Sequence, residues 1–493
     1  MTNLISLRRG GASGLLAVLL ILAGCSVAPT YTKPDAAAPA AYKEAVNSQA
    51  GNWKTAQPSE QAPRGEWWTV FGDAALNELE QRALLANQSL KAAAARVQEA
   101  RAFQQTARAG LFPTLDAGVG AQRGRPSRVS QGQSDGAPLP IQNSYNAGLT
   151  ASYEVDLFGR VADTVKAASA EAQQSAALLR SVQLALQADV AQNYFTLREL
   201  DAELDVYTRT VTLREAGLKL VQRRYTEGQI SELDVARAES ELATARSDAM
   251  TVQRLRAASE HGLAVLLGEA PASFSFASHP LTTVDIRIAP GLPSSLLERR
   301  PDIAAAERKM AAANARIGVA KSAFFPALTL TGAGGFASGT AGDLFNWSSR
   351  TFLLGPLASL PLFDGGRRQG NLANARAQYE EEVANYRQQV LVAFQEVEDN
   401  LSSLRILHDQ MQTQSIAVKA SMRAAQLSRT QYTEGAVNYL DVIDAERTVL
   451  QSQRAALQLS GAAAVSTVNL IRALGGGWGD SPTASTPIQT AQR

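Results

Sequence analysis

The chain has 493 residues, with 47 lysines and arginines against 46 aspartates and glutamates, three histidines and one cysteine. Balanced charge gives no basic face for nucleic acid, a lone cysteine excludes an internal disulfide framework, and three histidines leave little material for a metal site. "GAGG" at 332–335 lacks the spacing and the lysine of a phosphate loop and no nucleophile elbow occurs, so the motifs argue against an enzyme and assign no catalytic, cofactor-binding or metal-binding residue.

The first residues read as an export address. Arg8 and Arg9 precede an apolar run from Leu15 to Leu22, followed by "LAGC" ending at Cys25. Basic, apolar and small segments in that order make a bacterial signal peptide, assigned to residues 1–24. The apolar run is too short to span a bilayer as a mature helix. "LAGC" resembles the lipobox of bacterial lipoproteins, which implies that Cys25 becomes a lipid-modified N-terminus, with palmitate as an expected acyl group. Ser26 in place of aspartate suggests the outer membrane, and residues 25–73 are expected as a lipid-anchored extended segment.

An internal repeat organises the rest. "GLFPTLDAGVG" (110–120) echoes "AFFPALTLTGAGG" (323–335), "DLFGR" (156–160) echoes "PLFDGGR" (361–367), and "YTEG" with "LDV" recurs in the same order. The first repeat is placed at 74–290, the second at 291–477, and a flexible tail at 478–493. Each opens on a helix, at 74–110 and at 302–323 after "RRPD", ending near Phe-Pro because proline blocks helix continuation.

Strands follow at 114–122 and 145–156, and again at 327–336 and 351–363. "YNAGLTASYEVD" places Tyr145, Ala147, Leu149, Ala151, Tyr153 and Val155 on one face and polar residues or glycine on the other. Such strands suit a membrane β-barrel; a half-buried soluble sheet alternates the same way. The export signal favours the membrane. Gly-, Ser- and Pro-rich stretches between the strands of each pair read as loops.

Long helices close each repeat, at 160–226 and 231–268, then at 366–433 and 438–475. No proline interrupts 141–270 or 362–481. Apolar or small residues return every three or four positions with one phase shift near Val190, a coiled-coil spacing with a stutter. One helix over 160–226 would measure about 100 Å at ~1.5 Å per residue, so it must pack along partners or project into open space.

"CSVAPTYTKP", "WWTVFGDAALNELEQRAL" (67–84) and "LPSSLLERRPDIAAAERKMAAANARIGVAKSAFFPALTLTG" (292–332) together resemble the TolC-like outer membrane factors, in the lipoprotein branch that serves resistance-nodulation-division (RND) efflux pumps. The resemblance covers nearly the whole mature chain. It implies a mixed α and β membrane protein, a homotrimer with a twelve-stranded β-barrel continuous with a long periplasmic α-helical barrel. It implies a passive, gated conduit across the periplasm and outer membrane, serving an inner-membrane pump and a periplasmic adaptor and carrying solutes such as drugs. The sequence does not name the exported compound.

"RYTEGQISELDVARAE" (224–239) and "QYTEGAVNYLDVIDAE" (431–446) then become two hairpin tips, each turning at a glycine, Gly228 and Gly435. The resemblance implies adaptor contact by Thr226, Glu227, Gly228, Gln229 and Ser231, and by Thr433, Glu434, Gly435, Ala436 and Asn438. Asp441 and Asp444 align with acids that ring the family's tunnel mouth. Three apart, they share a helix face, and six carboxylates in a trimer should attract cations. The first copy has Asp234 but Arg237 where Asp444 corresponds. Val437 stands where some members place a closing arginine, so closure is expected to rest on Tyr432, Tyr439 and their neighbours. Two rival classes, a periplasmic adaptor and an adhesive coiled-coil lipoprotein, predict respectively a lipoyl-like β domain and an absence of membrane strands.

Overall fold

The computed structural model describes residues 27–34, 39, 41–44, 66–127, 139–281 and 293–476. The expected signal peptide 1–24, Cys25 and the expected tail 478–493 lie outside them. In chain order the elements are α1 (Ala74–Ala86), α2 (Gln88–Ala109), β1 (Thr114–Gly124), β2 (Gln142–Val155), α3 (Arg160–Thr226), α4 (Glu232–Leu266), α5 (Pro293–Arg299), α6 (Pro301–Ser322), β3 (Ala327–Ser338), β4 (Arg350–Ser359), α7 (Arg367–Thr433) and α8 (Tyr439–Ala473). The protein is mostly helical with one small sheet. No helix among the described residues is long and apolar enough to cross a membrane.

Two expected spans need correction. The helix expected over 74–110 is two helices, broken at Asn87. The Asn87 side chain donates to the Leu266 carbonyl at 2.9 Å and accepts from Leu90 N–H at 2.9 Å, so it caps the start of α2 while bonding the end of α4. The strand expected over 351–363 stops at Ser359. Pro361 follows two residues later, and proline brings no N–H to a ladder.

The two compact units of the chain do not follow the two repeats. One contains the described residues within 1–35, 97–175 and 306–386; the other contains those within 36–96, 176–305 and 387–493. Each repeat gives its strands and the first turns of its long helix to the first unit and the rest of its helix pair to the second, and β2 of the first repeat hydrogen-bonds β3 of the second.

In the first unit the sheet order is β1-β2-β3-β4, all antiparallel. The register aligns Ala117 with Leu149 and Gly334, and Val119 with Ala147, Phe336 and Arg350. Since side chains alternate along a strand, one face collects Leu115, Val119, Leu149, Leu330, Phe352 and Leu354. The other collects Asp116, Gln122, Thr150, Glu154, Thr329 and Thr331, with Leu353 and Leu357 as apolar exceptions. Gly335 sits where a Cβ would run into the Ala147 backbone, so glycine lets β2 and β3 approach closely. All four helix connections leave one end of the sheet, and the two strand-to-strand loops leave the other.

In the second unit, Trp67, Trp68, Leu76 and Leu79 pack with Val190, Tyr194 and Phe195 of α3, Leu263 of α4 and Val468 of α8. Each large apolar side chain so buried contributes about 1.5–3 kcal/mol. Asp73 caps α1 by accepting from Ala75 and Leu76 N–H, and Tyr194 donates to its second oxygen. The "RRPD" segment has a structural task here. Arg300 is buried, bonding Asp302 at 2.6 Å, Glu396 at 2.5 Å and the Ala473 carbonyl at 3.1 Å. It thus holds the end of α8 and the flank of α7 against the start of α6.

Candidate functional site

The hairpin tips lie in the second unit, where α3 turns into α4 and α7 into α8. Both turns use one device. Gly228 has φ +71° and Gly435 φ +78°. Gln229 N–H bonds the Arg224 carbonyl at 2.9 Å with Gly228 N–H on Tyr225; Ala436 N–H bonds Gln431 at 2.8 Å with Gly435 N–H on Tyr432. These are Schellman closures, which satisfy the last helical carbonyls and need a left-handed residue.

The return helices start differently. Asn438 and Asp441 form a reciprocal capping box, with Asp441 accepting from Asn438 N–H at 3.0 Å. Ser231 caps α4 without a side-chain bond. Among the expected tip residues, Thr226, Glu227, Gly228, Gln229, Ser231, Thr433, Glu434, Gly435, Ala436 and Asn438 are all exposed. Their side chains bond only locally, as in Gln229 on Glu227 and Thr433 on the Thr430 carbonyl.

Behind the tips an apolar cluster spans both hairpins. Tyr432 and Tyr439 are buried, with ring centroids 5.3 Å apart, and pack with Val221 and Ala238 of the first hairpin and Val442 and Ile443 of the second. Val437 packs at its edge. Burial, with Glu446 nearby, pushes the Tyr439 hydroxyl up to about 12, so the tyrosine stays neutral.

Three residues that the sequence did not single out tie the hairpins together. Arg224 donates to the Tyr432 carbonyl at 3.3 Å and the Thr433 carbonyl at 3.2 Å, and its guanidinium lies 4.7 Å from the Tyr432 ring centroid. It is a cation on the C-terminus of α7, where the carbonyls lack helical partners. Glu241 of α4 is buried between Arg214 of α3, at 3.0 Å, and Arg447 of α8.

Arg447 also reaches Asp444 at 3.4 Å. Asp444 and Asp441 are both exposed, but Asp441 is turned onto its own helix start and Asp444 is paired with Arg447. The two acids share a helix surface without touching in one chain.

The signal for these residues was in the repeat. At the offset that aligns Gly228 with Gly435, Arg224 faces Gln431, Arg237 faces Asp444, Ser240 faces Arg447 and Glu241 faces Thr448. The copies keep the turn and differ at the charges that join one hairpin to the other.

Comparison with known proteins gives the family of the chain. Residues 79–269 and 292–476 match the family described as "Outer membrane efflux protein". The chain is 36% identical over 486 residues to the toluene efflux pump outer membrane protein TtgF of Pseudomonas putida, covering 97% of this chain and 98% of the relative. It is 33% identical over 467 residues to the cation efflux system protein CusC of Escherichia coli, covering 94% and 97%. Its structure superposes on the outer-membrane channel OprN with a TM-score of 0.82 at 30% identity, covering 92% of this chain and 100% of that one. The chain belongs to the outer membrane efflux protein family and is an outer membrane efflux channel.

Proposed function

We propose that three copies of this chain close one channel and that the two hairpin tips of each copy form its periplasmic mouth. The sheet carries this reading. Its apolar face and its terminal strands β1 and β4, each with one edge unpaired among the described residues, suit a sheet in lipid only if neighbouring copies pair those edges. Three four-stranded sheets make a twelve-stranded barrel, and the long helices enclose a tunnel. The channel is a passive conduit; energy comes from an inner-membrane pump of the RND class through a periplasmic adaptor docked on the exposed tips. The Tyr432–Tyr439 cluster and the Arg224 contact hold the mouth closed, and Asp441 and Asp444 line it. One relative is named for a toluene efflux pump and another for a cation efflux system, so membership of the family does not by itself name the solute.

Lipid anchoring through Cys25 fits the N-terminal strap. Tyr31 donates to Glu307 at 2.7 Å, Asn314 donates to the Pro29 carbonyl at 3.0 Å, and Ala28 lies against Gly318. The strap therefore runs antiparallel to α6 toward the start of β3. Native mass spectrometry in mild detergent, with planar-bilayer recording on the same preparation, tests the assembly. A trimer that conducts is expected; a monomer without conductance overturns the reading. Cys25→Ser is expected to abolish acyl labelling, and unchanged labelling overturns the anchor.

A further inference from the structure

The apolar face of the sheet is not uniform. Between Val119 of β1, Leu149 of β2 and Phe336 of β3 lies an open depression of about 470 Å³, within the ~300–1,000 Å³ range of small-molecule sites. It exists because Gly334 presents no side chain there, and a Cβ built on Gly334 meets nothing within 4 Å. Phe345, from the loop between β3 and β4, folds edge-on to Phe336 at 5.7 Å and walls one side.

Among the described strand residues, charge on this face has one sign. Arg123 continues the Leu115–Val119 row of β1, and Arg350 pairs in register with Phe336 on β4. No other charged strand residue faces this way: Asp116 and Glu154 point to the opposite face. Asp343, the acid of the β3–β4 loop, is bonded by Thr340 and Asn346 within that loop. Arg350 is exposed and stacks on Trp347 at 4.2 Å, an arrangement that suits a membrane interface. Three strand spacings, roughly 14 Å, separate the strands of the two arginines. Both lie toward the loop end of the sheet, away from the helices. With the helices periplasmic, that end meets the outer leaflet.

We propose that this groove seats an acyl chain of a phosphorylated glycolipid of the outer leaflet, of the lipid A class, with Arg350 and Arg123 facing its phosphates. Two separated cations flanking an apolar slot match a headgroup with two phosphates and several chains better than a phospholipid with one phosphate. The proposal rests on the barrel orientation above.

The test uses the purified full-length protein in detergent and fluorescently labelled lipid A as the probe. Gly334→Leu puts a side chain into the groove from a position whose Cβ meets nothing within 4 Å, and Arg350→Gln removes the cation while keeping a polar side chain. Each is expected to weaken probe binding by about tenfold, the scale of one lost charged hydrogen bond or one blocked apolar slot. Unlabelled lipid A is expected to displace the probe and excess phosphatidylglycerol is not. Binding within about twofold of the parent for both variants, or equal displacement by phosphatidylglycerol, overturns the proposal. Conductance of the same preparations separates the two readings: a parent that fails to conduct while the variants still lose the probe sinks the channel assembly and leaves the groove standing.

Discussion

Arg224 is the residue whose removal says most about the mouth. Its two hydrogen bonds reach carbonyls at the end of α7, and hydrogen bonds from charged groups contribute about 1.5–3 kcal/mol. Half-exposure favours the lower figure. Arg224→Gln should therefore shift the closed–open balance toward open by roughly tenfold, read as a rise in single-channel open probability; an unchanged open probability sinks its role as a latch. Glu80 makes a different argument. It sits on α1 with Leu76, Leu79 and Ala83, fully buried, and neither carboxyl oxygen has a hydrogen-bond partner among the described residues. Burial alone pushes its pKa up to about 9 from an ordinary 4.5. Between those values the unfolded chain releases the proton while the folded chain keeps it, so stability falls as pH rises through that window. At pH 7 the loss is roughly 3 kcal/mol. Glu80→Met should raise the melting temperature, more at pH 8 than at pH 5; an identical pH slope in the variant would show that Glu80 is not the source. Glu80 stands four residues after Leu76 and so on the same side of α1, but spacing does not say whether a buried acid has a partner.

At the scale of the elements, Gly228 and Gly435 each end a 67-residue helix. No atom stands within 4 Å of a Cβ at either position, so alanine there meets only the backbone cost of a left-handed residue, about 1–2 kcal/mol. Gly435→Ala should therefore loosen the second tip without harming the core. Faster amide exchange confined to the residues around 430–440 is expected, and protection identical to the parent's would reject the Schellman account. Long helices were legible because periodicity over many turns overwhelms local noise; the helix expected over 160–226 is observed as Arg160–Thr226. What escaped were features set by one side chain. The Asn87 break hides in a run of good helix formers: its side chain caps α2 by accepting from Leu90 N–H while its amide group holds the Leu266 carbonyl of α4, a contact that no local pattern announces. The end of β4 was masked by the apolar "LPLF" continuing past Ser359, where Pro361 weighed more than hydrophobicity.

For the whole molecule, the proposed mouth would be a property of the assembly, and one chain shows how unequal Asp441 and Asp444 are. The sequence treated Asp441 and Asp444 as a pair because three-residue spacing puts them on one face. It could not foresee that Asp441 returns to Asn438 N–H while Asp444 leans on Arg447, since both partners follow from the cap geometry and from Glu241 drawing Arg447 to the first hairpin. Threefold symmetry would bring three copies of each acid around one axis. Asp441 is committed to its helix start, where losing a cap costs about 1 kcal/mol. Asp444, an exposed acid with one ion pair at 3.4 Å, is freer to meet a cation, since such surface pairs contribute about 0–1 kcal/mol. In planar bilayers with millimolar Mg²⁺ on the periplasmic side, Asp444→Asn should relieve most of the cation block. Asp441→Asn, which can still cap in part, should relieve less and lower thermal stability instead. Equal relief by the two variants would mean that the acids act as one ring, and block unchanged in Asp444→Asn would remove Asp444 from the mouth altogether.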